Sequence, residues 1–141
     1  MESGGLSDQL ALVDLFSGLD RKTLDSLVQR GTTMTFPAGR IVAEQDRDGS
    51  TFHLVLTGSA TVSVGGEDVT TLSPGGYFGE MSLLDGAPRS ATVIAGPEGL
   101  KTFTVSQLRF SELLDEDPQV TRKLCVSLVA RIRTIEAERA E

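Results

Sequence analysis

The segment PGGYFGEMSLLDGAPRSATV, residues 74–93, decides how this sequence is interpreted. Three glycines precede a short stretch that is compatible with a helix, and Arg89 follows just before a new run of strand-forming residues. Glycines let a backbone approach a ligand closely, and the free amides that open a short helix favour negative charge. We therefore expect this segment to bind an anion.

Two side chains of the segment suit opposite parts of one ligand. Arg89 offers a forked, permanently charged donor to phosphate oxygens, whereas Glu80 is an acceptor suited to sugar hydroxyls. A cyclic nucleotide monophosphate joins a phosphate closely to a ribose and satisfies both. Each residue alone also has an ordinary explanation, because Glu80 can be a solvated carboxylate and Arg89 can pair with Asp85. The hypothesis depends on the combination.

The surrounding sequence predicts strands between about residues 32 and 105. Short runs rich in Thr, Val, Ile and Phe alternate there with turn sequences such as Gly96-Pro97-Glu98-Gly99, which is typical of a compact β-sandwich or barrel. Phe52–Leu56 and Ala60–Val64 are predicted as two strands around a tight turn at Thr57-Gly58, and Gly65-Gly66 as the next reversal.

Helical patterns lie at both ends of the chain. Apolar spacing predicts N-terminal helices at about residues 8–30, with Asp20 as an N-cap. C-terminal helices are predicted at about residues 106–139, where Ser106 caps the first helix and Pro118 begins the second. The second has a broad apolar face, which predicts a homodimer or a partner protein at this helix unless the rest of the domain covers it.

Composition narrows the class of protein. A chain of 141 residues is expected to form a single domain, residues 1–141, and its net charge of −7 disfavours autonomous nucleic-acid binding. The lone Cys125 excludes a disulfide framework within the monomer and fits a reducing cytoplasm. No apolar run approaches the length that crosses a bilayer, and no signal peptide is apparent, so we expect a cytoplasmic protein without membrane contact.

Two stretches, Gly79-Glu80-Met81-Ser82-Leu83-Leu84 and Pro88-Arg89-Ser90-Ala91-Thr92-Val93, resemble the phosphate-binding cassette of the cyclic nucleotide-binding domain family. That family includes bacterial regulators of the catabolite-activator type, protein kinase A regulatory subunits and cyclic nucleotide-gated channels. The resemblance extends from about Leu12 to Glu136. It implies an α+β, mainly β fold: an antiparallel β-roll (jelly roll, or double-stranded β-helix) with N-terminal helices, a short cassette helix and two C-terminal helices.

The resemblance also implies roles for residues 79–91, here named the cassette. Glu80 would accept from the ribose 2′-hydroxyl, and Arg89 would pair with the exocyclic phosphate oxygens. The resemblance further implies that the backbone approaches the ligand closely at Gly79 and that backbone amides around Met81, Ser82 and Ser90 bind the phosphate. Ala91, at the end of the segment, is the last implied contact. The hydroxyl of Ser90 does not decide between adenine and guanine as the base. Cyclic AMP is expected over cyclic GMP because it is in general the more frequent ligand.

Four residues outside the cassette complete the implied site. Val62 and Val69 match base-packing positions, although as strand residues they would be core in any case. Arg131 and Ile135 fall one turn apart on the last helix and are candidate lid residues. The alternative is an exposed arginine beside a core isoleucine.

The leading hypothesis is a non-enzymatic bacterial signalling domain, in which binding of cyclic AMP or cyclic GMP repositions the C-terminal helix. Two alternatives stay open: an interaction module that keeps the fold without responding to nucleotide, and the sensor part of a longer transcriptional regulator. An enzyme of the metal-dependent cupin type would need several converging ligands, whereas the sequence has one histidine, His53, which we interpret as a strand residue satisfied by its neighbours. No metal is expected.

Overall fold

The computed structural model describes residues 2–47 and 50–140. Within it the chain forms two compact units. The helical unit contains the residues up to Gln29 together with those from Ser111 onward, and the β unit extends from Arg30 to Phe110. Among the described residues, no helix combines the length and the apolar character that a membrane span requires.

The first helix of the helical unit begins earlier than the sequence indicates, and the elements are as follows. They are α1 (Glu2–Leu10), a 3₁₀ turn (Asp14–Phe16), α2 (Arg21–Gln29) and α5 (Pro118–Ala140), while α4 (Gln107–Glu116) crosses the boundary between the units. The expected start at about residue 8 is wrong, because α1 begins at Glu2. Glycines in its first half lower its helix propensity, so packing must stabilise it. Accordingly, Leu10 and Ser7 are fully buried, and the Ser7 hydroxyl donates to Asp25 of α2.

Both predicted helix caps are confirmed. Asp20 Oδ1 accepts a hydrogen bond from the Thr23 N–H at 2.9 Å, and Ser106 Oγ accepts one from the Arg109 N–H at 3.2 Å. The bonds from Thr23, followed by the nearby charge of Lys123, hold the pKa of Asp20 below its usual value. Asp20 is therefore ionised where it caps α2.

The β unit is one antiparallel sheet of six strands, β1 (Thr32–Phe36), β2 (Ile41–Ala43), β3 (Thr51–Val64), β4 (Glu67–Leu72), β5 (Tyr77–Phe78) and β6 (Thr92–Ser106). The order is β1-β6-β3-β4, with β2 on β6 and β5 on β3. The short helix α3 (Ser82–Asp85) lies between β5 and β6 in the chain. The predicted mainly β, antiparallel fold with N-terminal helices, a short cassette helix and two C-terminal helices is confirmed.

Two predicted turns are wrong, because the chain does not reverse at either. Thr57-Gly58 lies inside β3, and Gly96-Pro97-Glu98-Gly99 lies inside β6. These strands pair along most of their length, with register shifts between Val55 and Thr57 and between Gly58 and Ala60. Gly58 and Gly99 have φ values of +81° and +82°, and a Cβ on Gly58 would collide with the Gly99 carbonyl. The glycines serve bulges that bend long strands.

The core of the β unit supports the segment that follows β5. A buried cluster contains Val55, Val93 and Leu100, and the ring of Phe78 packs against it. Burying such side chains is worth roughly 1.5–3 kcal/mol each relative to exposure. Phe78 is the last residue of β5, so the cassette starts from a position fixed by the core.

Candidate functional site

A cavity of about 460 Å³ opens in the β unit, within the size range of ligand pockets. Eight of the predicted site residues line it: Val62, Gly79, Glu80, Met81, Ser82, Arg89, Ser90 and Ala91. All of the predicted cassette contacts therefore surround one cavity, together with one of the two proposed base-packing valines.

Local backbone geometry shapes the cassette. Gly79 has φ +84° directly after β5, and Gly86 adopts the left-handed conformation, φ +63°, that ends α3. The Asp85 carboxylate then accepts from the Ala87 N–H at 2.8 Å, which fixes the turn after the helix. The chain reaches Arg89 through this turn, so the two ends of the cassette line the same cavity.

Arg89 is held at both its backbone and its side chain. Its N–H donates to the Arg47 carbonyl at 2.9 Å, and its carbonyl accepts from the Asp46 N–H at 2.8 Å. Nη2 donates to the Thr51 carbonyl at 2.5 Å. The residue is only 9% exposed. Its guanidinium therefore has a fixed place in the cavity lining.

One nitrogen of Arg89 has no acceptor within residues 2–47 and 50–140. Among the described residues, Nη1 is buried without a hydrogen-bond partner. Burial lowers the pKa of Arg89, and the charge of Glu80 acts in the opposite direction. Buried donors of a charged group are costly when unpaired, so this N–H favours an anionic acceptor in the cavity.

Gly79 is required by its contact with Arg89. A Cβ built on Gly79 would collide with Arg89 Nη1 and with the Thr51 carbonyl, and the positive φ also disfavours other residues. The missing side chain therefore makes room for the guanidinium in addition to any ligand. Its role in ligand approach stays a prediction.

Val69 does not line the cavity and is 63% exposed. Val62 pairs with Thr70 and Ser63 with Asp68, so the register shift leaves Val69 without a direct partner on β3. Thr70 and Leu72 line the cavity instead. Thr70 pairs with Val62, and Leu72 lies on the same face of β4 two residues later, so the alternation of side chains explains why both line the cavity. The bulge that brings Thr70 opposite Val62 is not visible in the sequence. Base packing by Val69 stays a prediction.

The sequence does not single out several further residues of the cavity lining. They are Ala43, Tyr77, Phe78, Asp85, Ala87, Pro88 and Val93, in addition to the two on β4. Most belong to the quoted segment or to strands that border it, so nearness in sequence to Glu80 and Arg89 was the available signal. Ala43 of β2 had none, because its place depends on pairing with β6.

His53 is buried beside the cassette, at 4% exposure. Its Nδ1 shares a hydrogen bond of 3.0 Å with Thr102 Oγ1, and its ring stacks on Phe78, with centroids 4.6 Å apart and planes 8° apart. Burial, followed by the positive charge of Arg89, lowers its pKa to about 4. The interpretation as a strand histidine satisfied by neighbours is confirmed. Within residues 2–47 and 50–140, no three His, Cys, Asp or Glu side chains form a cluster that could hold a metal.

The candidate lid residues lie in the helical unit. Arg131 and Ile135 share a groove of about 510 Å³ on α5, which Asp14 and Ser17 also line. They therefore do share a face, as the spacing predicts. The alternative of a core isoleucine is wrong, because Ile135 is 52% exposed. Their closure over a base stays a prediction.

Comparison with known proteins agrees with this geometry. A family model described as a cyclic nucleotide-binding domain matches residues 33–117. Over 111 residues the chain is 33% identical to a cyclic nucleotide-gated potassium channel from Mesorhizobium japonicum, an alignment that covers 79% of this chain and 30% of the channel. The chain thus spans less than a third of that relative.

Solved structures share the fold. The N-terminal domain of a transcriptional regulator from Streptomyces coelicolor A3(2) superimposes with a TM-score of 0.83 at 22% identity, covering 91% of this chain and 94% of that one. The catabolite activator protein of Thermus thermophilus gives a TM-score of 0.68 at 29% identity, covering 90% of this chain and 62% of that one. The β-roll architecture is therefore common to all three.

Proposed function

Because the chain belongs to the cyclic nucleotide-binding domain family, we propose that it is a regulatory sensor that binds a cyclic nucleotide monophosphate, preferring cyclic AMP to cyclic GMP. The observation that carries the proposal is the buried Nη1 of Arg89, which has no hydrogen-bond partner among the described residues and lies in the lining of a cavity that Glu80 also lines. A phosphate oxygen would complete the arginine, and a ribose hydroxyl would donate to the carboxylate.

The strand side of the cavity supports the preference for cyclic AMP. Val62, Leu72 and Val93 contribute apolar surface there, and Thr70 contributes one hydroxyl. Adenine presents fewer polar groups to such a surface than guanine, whose carbonyl and amino group would lose water on burial. The hydroxyl of Ser90 is available to either nucleotide.

Calorimetric titration of the folded chain with cyclic AMP, cyclic GMP and linear 5′-AMP tests the proposal. We expect saturable binding of cyclic AMP, weaker binding of cyclic GMP and the weakest binding of 5′-AMP, whose second phosphate charge and open geometry do not match the cassette. If neither cyclic nucleotide binds the folded chain at millimolar concentration, the proposal fails and the interaction module without nucleotide response is favoured instead.

Replacement Glu80→Gln is expected to weaken cyclic AMP binding about 3–10-fold, because a charged acceptor of the ribose hydroxyl becomes neutral. Binding of 2′-deoxy cyclic AMP should change less than twofold, since it lacks that hydroxyl. Glu67→Gln is the matched control, because it makes the same substitution at an exposed residue of β4 that does not line the cavity. Equal losses for both nucleotides would contradict the role of Glu80.

We propose that nucleotide binding repositions α5. The same helix is the proposed surface for association with a second chain. Four apolar side chains of this helix are about half exposed or more: Val126, Val129, Ile132 and Ile135. Exposed apolar clusters of this kind favour association. We propose a homodimer through α5 in a non-enzymatic, cytoplasmic signalling protein.

The solution mass checks the dimer. We expect the mass of a dimer for the wild-type chain, and a monomer for Ile132→Glu, because the carboxylate would be buried unpaired in the interface. Lys22→Glu, on α2, is the control for an added acidic residue. A monomer at every concentration, with and without cyclic AMP, would contradict the proposal.

One alternative output has support of its own. The structural similarity to the N-terminal domain of a transcriptional regulator fits a sensor within a longer DNA-binding protein. With a net charge of −7, this chain would leave the DNA contacts to the other part.

A further inference from the structure

A buried chain of contacts connects β6 to the start of the cassette through His53. The Thr102 hydroxyl holds Nδ1 of His53 at 3.0 Å, and the ring of Phe78 lies nearly parallel to the imidazole. Thr102 is fully buried and His53 nearly so. A hydrogen bond at the ring edge and a stack on the ring face together restrict the rotation of the imidazole.

Phe78 transmits this restriction to the cassette. Its backbone pairs with His53 between β5 and β3, and Gly79 follows it directly. Gly79 lies so close to the Arg89 guanidinium that a single added carbon would collide with it. A shift of Phe78 would therefore change the space in which Arg89 is held.

The second attachment of Arg89 comes from the same strand. Its Nη2 donates to the carbonyl of Thr51, two residues before His53 on β3. A smaller cavity of about 290 Å³ is lined by Thr51, His53 and Arg89, and Arg89 also lines the larger one. His53 and Arg89 thus border a common space on the side of β3.

We propose that His53 is a positioning residue for the phosphate-binding arginine: fixed by Thr102, its ring holds Phe78, and through it the contact of Gly79 with Arg89, in the geometry that binds the nucleotide. This inference rests on the proposed function. A neutral ring suits the task, since a charged one would repel the buried arginine.

A pair of matched threonine variants separates positioning from general stability. Thr102→Val removes the hydroxyl that holds His53 and keeps the side-chain shape. Thr104→Val makes the same change two residues later on β6, where the buried hydroxyl donates to the Thr32 carbonyl at 3.1 Å. Both variants should lower Tm. We expect Thr102→Val to weaken cyclic AMP binding about 3–10-fold and Thr104→Val less than twofold, measured by calorimetry.

A substitution of His53 itself separates its ring contact with Phe78 from its hydrogen bond to Thr102. His53→Phe keeps a ring against Phe78 but loses the bond to Thr102, so its loss should match that of Thr102→Val, and the double variant should lose no more. If Thr102→Val and His53→Phe both bind like Thr104→Val, His53 has only a structural role. If the wild-type chain binds no cyclic nucleotide, the proposed function fails instead, whatever the variants do.

Discussion

Arg89→Ala is expected to weaken cyclic AMP binding at least about 30-fold, the largest loss from any single side chain of the site. A charge-assisted contact to phosphate in a buried place is worth about 2–5 kcal/mol, and each 1.4 kcal/mol is about tenfold. Arg89 meets these conditions because it is 91% buried, its position is fixed by the Thr51 carbonyl, and Nη1 has no acceptor among the described residues.

Two further variants make this result interpretable. Arg40→Ala removes the same charge from an exposed side chain between β1 and β2 that does not line the cavity, so its affinity should stay within twofold of wild type. Arg89→Lys keeps the charge but loses the fork, and should fall between wild type and Arg89→Ala. Affinity unchanged in Arg89→Ala, in a variant shown to be folded, would overturn the assignment of Arg89.

The sequence was most informative where the functional residues are neighbours in the chain. Glu80 and Arg89 lie in one short segment, so their residue types and spacing indicate an anion site before any fold is known. The structure then brings every predicted ligand contact of the cassette to one cavity. Asp20 and Ser106 were predictable for the same reason, because a helix cap is a contact over three residues.

The expected turns and the expected place of Val69 failed for a different reason. A glycine with positive φ serves a turn or a bulge equally well, and pairing between β3 and β6, distant in sequence, decides which. That pairing converted the expected turn at Thr57-Gly58 into a bend within β3. The same kind of irregularity beside Val62 removed Val69 from the cavity lining.

The role of His53 depends on contacts that no local pattern specifies. Thr102 is 49 residues away in the chain, and Phe78 is brought to it by the pairing of β5 with β3. In the sequence, His53 is the only histidine, and this indicates only that a histidine-rich metal site is not expected. The position of His53 next to Arg89 emerges from the fold alone.

This position predicts that acid destabilises the protein through His53. The pKa of His53 is about 4 in the folded chain against an ordinary value of 6.5, so between these pH values the unfolded state binds more protons than the folded state. The destabilisation caused by His53 is absent above pH 6.5, grows as the pH falls, and is complete below pH 4. The difference corresponds to a loss of about 3 kcal/mol in the free energy of unfolding.

Urea unfolding of the wild type and of His53→Phe between pH 7 and pH 4.5 measures the effect. His53→Phe cannot titrate at this position, so its stability should fall less over this range, and the difference between the two proteins should change by about 2 kcal/mol or more. Carboxylates such as Asp20 also titrate near the acid end, but they are common to both proteins and cancel. Parallel pH profiles would mean that His53 accepts a proton as easily in the folded chain as in the unfolded one, which its burial beside the cation of Arg89 opposes.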